Sequence, residues 1–203
     1  MESLDEYIAR LASAAPVPGG GSAATVAAAL AAALVAMVAR ICAANPKYAE
    51  HAATAREIVE RSDAIRLQLI EARERDELAF GDVVAAQHLP KATPHEEAAR
   101  RDVLEAALTA AAQAPLEAAG LALETLQLTQ RVLTIPNRNL AGDAGCAGEF
   151  AAAALAACAY NVRVNHRYIR DEATITRQSE RLDRYERQAH ELIANVREMA
   201  MSS

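Results

Sequence analysis

The chain has 203 residues, of which 52% are hydrophobic and 51 are Ala, whereas two are Phe, five are Tyr and none is Trp. This composition excludes a disordered chain and argues against a β-sandwich, because β-branched and aromatic residues are scarce. The net charge of −6, with no basic run, argues against a nucleic-acid-binding surface and against a polybasic membrane-binding surface.

The first two predicted helices are separated by a glycine-rich break. Ser3-Leu4-Asp5-Glu6 is a capping box that opens a helix ending near residue 15. The segment 16–21 breaks this helix, and Ser22 is predicted to cap the next one, at about 23–44. That second helix is apolar almost all round, so we expect it to be buried on every side.

Two long helices follow. The first is predicted at about 47–88, after Asn45-Pro46. Thr93-Pro94-His95-Glu96 combines an N-cap, a proline at the first helical position and a Glu at the third. We therefore expect the next helix to run from there to about Leu133, with Pro115 kinking or splitting it.

The last two helices each begin at an aspartate. Asp143 is predicted to cap a helix at about 144–170, and Asp171 to open one at about 172–200. The pattern indicates no strand and no domain linker. We predict a single all-α domain over 1–203, a helical bundle with a buried Ala-rich central helix and long amphipathic helices.

The sequence favours a soluble cytoplasmic protein. Its three cysteines are far apart and form no CxxC motif, which is typical of small buried side chains in a reducing compartment. The apolar run at 23–39 is short and weakly hydrophobic for a membrane span, and the acidic N-terminus does not fit a signal peptide.

Asp76 interrupts an otherwise apolar or small seam of the long helix. The other seam positions repeat every 3.5 residues and are Ile58, Ser62, Ile65, Leu69, Ala72, Ala79, Val83 and Ala86. A carboxylate on a buried seam either pairs with a cation from a neighbouring helix or has its pKa raised by desolvation. Spacing alone slightly favours the ion pair, and both outcomes are compatible with proton transfer.

A second stripe of small residues ends in two amides one turn apart, Asn161 and Asn165. The preceding members are Ala147, Ala151, Ala154 and Cys158, and Tyr168 follows. Buried amides need hydrogen-bond partners, so this pair binds either another helix or a ligand.

Other features permit a binding site without requiring one. Gly19-Gly20-Gly21-Ser22 precedes a helix and either forms a turn or lets a ligand approach the helix N-terminus. Lys47 and Lys91 lie at helix junctions, where each is either a solvent-exposed residue that favours solubility or part of an anion-binding site. The five histidines form no Glu-x-x-His pattern, and no dinucleotide or nucleophile-elbow motif occurs. An enzyme with this sequence is thus expected to use metal-free acid–base chemistry.

Read together, these segments resemble the formiminotransferase-cyclodeaminase C-terminal family. The matching segments, in chain order, are Ala15–Ser22, Met37-Val38-Ala39, Lys47-Tyr48, Asp76–Phe80, Leu89–Thr93 with Glu96, Glu97 and Arg100, Pro115-Leu116, Asn137-x-Asn139 with Asp143, and Asn161–Asn165. The chain departs from the family pattern at Gly142 and His166, and the acidic residue that commonly lies two positions before Asp76 is Glu74 here.

The resemblance implies a folate enzyme that works as a homodimer or larger assembly on a tetrahydrofolate substrate, with no other cofactor and no metal. It implies formimidoyltetrahydrofolate cyclodeaminase activity, slightly preferred here, or methenyltetrahydrofolate cyclohydrolase activity. A non-catalytic helical oligomer is the remaining alternative, and it predicts an ion-paired Asp76 with no pocket joining it to the loop at 137–139.

The resemblance also assigns residues to the site. Asp76 is the expected acid–base residue. Expected substrate-binding residues are Gly19, Gly20, Gly21 and Ser22 along the pocket, Lys47 or Lys91 at the glutamate tail, and Asn137, Asn139, Asp143, Asn161 and Asn165 at the pterin.

Overall fold

The computed structural model describes residues 2–202, and this part of the chain contains six α-helices and no strand. The predicted all-α fold is therefore confirmed. The helices are α1 (Leu4–Leu11), α2 (Gly20–Ala44), α3 (Ala52–Gln87), α4 (Pro94–Leu133), α5 (Ala141–His166) and α6 (Glu172–Ser202). Two 3₁₀ turns, Pro46–His51 and Arg138–Leu140, lead into α3 and α5.

Capping signals located some helix ends and missed others. Both predicted capping boxes, at Ser3 and Thr93, are present. The predicted cap at Ser22 is wrong: α2 begins at Gly20, and the Ser22 hydroxyl bonds to side chains of two other helices. The predicted cap at Asp143 is also wrong, because the 3₁₀ turn continues directly into α5 and leaves Asp143 in its first turn.

Helix α4 runs without interruption through Pro115, so the proline does not split it. Helix α1 ends at Leu11, four residues earlier than predicted. The predicted helix at 47–88 is a 3₁₀ turn followed by α3.

Helix α2 is the centre of the bundle and packs against α3, α4 and α5. Its interior face consists mainly of fully buried alanines, including Ala28, Ala31, Ala32 and Ala39. Short side chains allow the neighbouring helices to approach closely, and many such contacts add up to a dense core. Helix α6 covers α4 and α5.

The expectation that α2 is buried on every side does not hold for the single chain. Leu30 is 51% exposed and Ile41 is 43% exposed, although both belong to the apolar pattern of α2. The apolar pattern therefore extends to a face that is open to solvent.

Helices α2 and α4 are long and apolar enough to cross a membrane by length and composition. About half of each apolar window is buried inside the protein, as in core helices of soluble proteins. This finding is weak support for a membrane span, and a cytoplasmic location stays an expectation.

Candidate active site

Asp76 lies where the buried seam of α3 opens into a cavity of about 430 Å³. On the N-terminal side of Asp76 the seam is closed, since Ile58, Ile65, Leu69 and Ala72 are all essentially inaccessible. Helix α3 thus holds a half-buried carboxyl group at the cavity, within a seam that is otherwise mostly buried.

The surroundings of Asp76 settle the two alternatives that its position left open. Within residues 2–202 no cation lies at ion-pair distance from its carboxylate. Burial raises the pKa of Asp76 above its ordinary value, and the nearby Glu77 carboxylate raises it further. A backbone hydrogen bond from Ser22 opposes these effects by favouring the charged form. The net effect is a raised pKa, so the Asp76 carboxyl group binds a proton more tightly than a free aspartate does.

The glycine segment brings the start of α2 against this carboxylate. A Cβ atom built on Gly21 would lie 2.3 Å from Asp76 Oδ1 and 2.6 Å from Oδ2, which only a glycine avoids. The N-terminus of α2, expected to face a ligand, is therefore directed at Asp76 itself. Gly19, Gly20 and Gly21 all line the cavity.

Ser22 is fully buried, and its hydroxyl bridges two helices. It lies 2.9 Å from the Tyr7 hydroxyl of α1 and donates to Glu77 Oε1 of α3 at 3.1 Å. Arg10 of α1 completes the network by donating to the other Glu77 oxygen at 2.8 Å. The side chain of Ser22 therefore links α1 to α3, while its backbone N–H donates a hydrogen bond to the Asp76 carboxylate.

Asn161 and Asn165 of α5 line the same cavity as Asp76, and each donates one hydrogen bond to a backbone carbonyl. Asn161 Nδ2 donates to the Ala157 carbonyl at 2.9 Å, and Asn165 Nδ2 donates to the Ala111 carbonyl of α4 at 2.8 Å. Neither Oδ1 atom has a protein partner within residues 2–202. The two nitrogens therefore bind backbone carbonyls of α5 and α4, and ligand binding by the two oxygens stays a prediction.

The other walls of the cavity are mostly apolar, and the sequence pattern did not assign them to the site. Leu104 and Leu108 contribute from α4, Val83 and Phe80 from α3, and Tyr168 follows α5. Phe80 and Tyr168 are 42% and 64% exposed, which places two aromatic rings at the cavity rim. Tyr168 belongs to the predicted stripe, because it continues the spacing of the two asparagines, but it was not assigned to the site.

Three other predicted residues lie around a second cavity at the opposite end of α2. Lys47, Asn137 and Asn139 line it together with Arg138 and Tyr48, and its volume is about 590 Å³. Helix α2 has 25 residues, so at 1.5 Å per residue the two ends are about 36 Å apart. One chain therefore does not bring these residues to Asp76.

Three predicted residues line neither cavity: Ser22, which was expected along the pocket, Lys91 and Asp143. Lys91 is exposed in the connection between α3 and α4, four residues after Gln87 at the first cavity. Asp143 is half-buried in the first turn of α5. Among the described residues, no group of three or more His, Cys, Asp or Glu side chains is arranged to hold a metal ion.

Comparison with known proteins relates this arrangement to folate enzymes. The formiminotransferase-cyclodeaminase family model matches residues 3–184. A methenyltetrahydrofolate cyclohydrolase of Methylorubrum extorquens is 36% identical over 172 residues, which cover 85% of this chain and 83% of that protein. The formimidoyltransferase-cyclodeaminase of Rattus norvegicus is 26% identical, and the match spans 84% of this chain but only 31% of the rat protein.

A solved structure gives the same result for the fold. The formiminotetrahydrofolate cyclodeaminase of Thermotoga maritima superposes with a TM-score of 0.89 at 28% identity, covering 99% of this chain and 96% of that one. The matched fold extends over all six helices, including those that hold Asp76 and the two asparagines. From its sequence and its structure alike, the chain belongs to the formiminotransferase-cyclodeaminase family.

Proposed function

We propose that this protein acts on tetrahydrofolate derivatives as a methenyltetrahydrofolate cyclohydrolase, with Asp76 as the acid–base residue. The observation that carries the proposal is an unpaired, half-buried carboxyl group that opens into a cavity between α2, α3, α4 and α5. The relative that is 36% identical over most of both chains bears the same activity in its name. The family resemblance alone slightly favours the deaminase.

In the cyclohydrolase reaction, the Asp76 carboxylate takes a proton from the water that attacks the methenyl carbon. The resulting tetrahedral adduct carries a hydroxyl group between N5 and N10 of the folate. Asp76 then returns its proton to N5 as the bond from carbon to N5 breaks, and the hydroxyl proton leaves to solvent. The products are the 10-formyl compound and one net proton. A raised pKa brings the Asp76 carboxyl group closer to the pH range in which one group both accepts and donates a proton.

The cyclodeaminase reaction is the second candidate, and the superposition with the Thermotoga maritima enzyme favours it. In that reaction N10 attacks the carbon of the protonated formimino group, and Asp76 removes the N10 proton from the adduct. The same carboxyl group then protonates the departing amino group, which leaves as ammonia. Both reactions pass through a tetrahedral carbon held between N5 and N10, so one site geometry serves either.

The cavity offers complementary groups for the rest of the substrate. The free Oδ1 atoms of Asn161 and Asn165 are acceptors for the N–H groups of the pterin edge, and the apolar walls fit its ring. Lys91, in the connection after α3, is assigned to the carboxylates of the glutamate tail. This mechanism uses no metal and no cofactor besides the folate, and it takes place in the cytoplasm.

The near-ultraviolet absorbance of the methenyl group tests the proposal and separates the two reactions. Added methenyltetrahydrofolate should lose this band faster with the protein than without it if the protein is a cyclohydrolase. Added 5-formiminotetrahydrofolate should gain the band if the protein is a cyclodeaminase. Rates equal to the protein-free controls with both substrates would reject an enzymatic role and leave the non-catalytic helical oligomer.

A further inference from the structure

Glu77 follows Asp76 on α3 and is held from two sides. Ser22 of α2 donates to its Oε1 atom at 3.1 Å, and Arg10 of α1 donates to its Oε2 atom at 2.8 Å. The side chain of Glu77 is only 18% exposed, whereas that of Glu74, three residues earlier, is 65% exposed. Glu77 does not line the cavity of Asp76. A carboxylate that is enclosed and bonded through both oxygens has a fixed position, so Glu77 acts on its neighbours and not on a ligand.

The two hydrogen bonds belong to a closed ring of side-chain contacts between α1, α2, α3 and the residue before α1. The members of the ring, in order of contact, are Tyr7, Ser22, Glu77, Arg10, Glu2 and Arg73. The guanidinium carbon of Arg73 closes the ring, because it lies 5.2 Å from the centre of the Tyr7 aromatic ring. Two glutamates and two arginines alternate along it, so their charges balance.

Ser22 connects this ring to Asp76. Its backbone N–H donates to the Asp76 carboxylate, and its hydroxyl donates to Glu77. The first N–H groups of a helix have no partner within the helix and carry positive partial charge, so they stabilise a nearby carboxylate. Both acidic side chains are thus bonded to one residue in the first turn of α2. A displacement of the Glu77 carboxylate therefore also displaces the donor that serves as a partner of Asp76.

Glu77 also acts on Asp76 through its charge. Burial is the main cause of the raised pKa of Asp76, and the Glu77 carboxylate adds to it. Tyr7 of α1 and Cys158 of α5 are the other ionisable side chains that interact with Asp76 within residues 2–202. Burial raises the pKa of Tyr7 above its ordinary value of 10.0 and that of Cys158 to about 12, so both are uncharged at neutral pH. In the same part of the chain, α2 and α4 contribute no ionisable residue to the cavity wall, and Tyr168 lies at its rim.

We propose that Glu77 is a positioning residue for the reaction of Asp76: fixed by Arg10 and Ser22, it keeps the start of α2 against the Asp76 carboxyl group and places a second negative charge beside that group. Helix α1 thus contributes to the site through Arg10, although none of its residues lines the cavity. This inference rests on the proposed function for the reaction, but the proton equilibrium of Asp76 is measurable without a substrate.

Titration of the Asp76 carboxyl group tests the proposal directly. Protein labelled with ¹³C at the aspartate carboxyl carbons is followed by NMR as the pH changes, and the Asp76 resonance is the one that Asp76→Asn lacks. Glu77→Gln keeps an acceptor for the Ser22 hydroxyl but removes the negative charge, so Asp76 should titrate at lower pH than in the wild type. Circular dichroism shows whether the variant is folded.

Glu74→Gln is the matched control, because it removes a negative charge from the same helix at an exposed position. It should leave the titration of Asp76 unchanged. An unchanged titration in Glu77→Gln, or an equal shift in Glu74→Gln, would overturn the proposal.

Arg10→Met tests whether α1 acts through Glu77. The Arg10 side chain is 46% exposed, so its replacement leaves the core intact. The substitution removes the donor to one Glu77 oxygen, and the titration of Asp76 should shift relative to the wild type. In the Glu77→Gln background it should cause no further shift, because Arg10 then has no carboxylate to hold. Equal shifts in the two backgrounds, or no shift in either, would overturn the contribution of α1.

Kinetics separate this inference from the proposed function. Glu77→Gln should move the pH dependence of kcat/KM in the same direction as the titration and leave KM unchanged, because Glu77 does not line the cavity. A purely structural ion pair would lower the Tm of Glu77→Gln and move neither the titration nor the pH dependence, and that result would overturn the inference. A shifted titration with an unchanged pH dependence, or a wild-type protein without folate turnover, would instead reject the proposed function, and the titration would still decide whether Glu77 positions Asp76.

Discussion

Gly21 and Asp76 are so close that a Cβ atom at position 21 would lie 2.3 Å from the carboxylate oxygen Oδ1. The carboxyl group of α3 is thus seated against the first turn of α2, next to the backbone N–H of Ser22. The close approach of the carboxylate explains why position 21 is a glycine. The same contact sets the position and the proton affinity of the Asp76 carboxyl group, to which we assign the chemistry.

Gly21→Ala is expected to push the Asp76 carboxylate away from α2 and to lower kcat at least tenfold. Overpacking of this kind also lowers the free energy of unfolding by about 1–3 kcal/mol. Gly81→Ala in α3 is the control, because a Cβ there meets nothing within 4 Å and alanine favours the helix. Steady-state kinetics and thermal unfolding of both variants check the prediction. Equal kcat values in the two variants would show that the contact does not position the carboxyl group.

Asp76→Asn is expected to raise the stability of the fold at neutral pH. Because the folded state raises the pKa of Asp76, it binds the proton more tightly than the unfolded state does. Between the ordinary value of 3.8 and the raised value, the stability of the wild type therefore falls as the pH rises. The uncharged asparagine avoids this loss.

Thermal unfolding at several pH values measures the effect. The Tm of Asp76→Asn should exceed that of the wild type at pH 7, by about 2–4 °C for each kcal/mol in a chain of this size. The difference should disappear below the ordinary pKa of 3.8, where Asp76 is protonated in both states. A variant less stable than the wild type at pH 7 would mean that the carboxylate stabilises the fold.

Ser22→Ala is expected to reduce stability and to leave KM unchanged. The substitution removes the bridge between Tyr7 and Glu77, and a lost buried hydrogen bond lowers the free energy of unfolding by about 1–3 kcal/mol. The variant keeps the backbone N–H that donates a hydrogen bond to Asp76. Urea unfolding of Ser22→Ala, Tyr7→Phe and the double variant should reveal coupling between the two residues. A large rise in KM with unchanged stability would assign the hydroxyl to the substrate instead.

Lys91→Ala is expected to raise KM for the folate about two- to fivefold with little change in kcat, which is the range for one exposed ion pair. Lys91→Arg should restore KM because it keeps the positive charge. Initial rates over a range of substrate concentrations provide the measurement. An unchanged KM in Lys91→Ala would remove this residue from the site.

The fold and the core of the site follow from local patterns that the sequence carries. The 3.5-residue spacing on α3 and α5 correctly indicated which faces are buried, and it singled out Asp76, Asn161 and Asn165 as polar interruptions. These three residues line one cavity because α3 and α5 both pack against α2. Periodicity along a helix is enough for such an inference.

Features that depend on contacts between helices were not predictable in the same way. Leu104 and Leu108 became cavity walls only through the register of α4 against α3, which no spacing within α4 encodes. Ser22 looked like a helix cap, but its hydroxyl bonds to Tyr7 and Glu77, both far from it in sequence. Lys47, Asn137 and Asn139 share the family pattern with Asp76, yet they lie at the other end of α2.

The turnover of methenyltetrahydrofolate by Asp76→Asn tests the central claim most directly. The loss of absorbance is followed for the wild type, the variant and a protein-free control, with circular dichroism to show that the variant is folded. Glu74→Gln, two residues earlier on α3 and with a side chain 65% exposed, is the matched control and should retain wild-type activity. The account predicts that Asp76→Asn loses at least 100-fold in kcat, as expected when an acid–base group is removed. Wild-type kcat in a folded Asp76→Asn protein would contradict it.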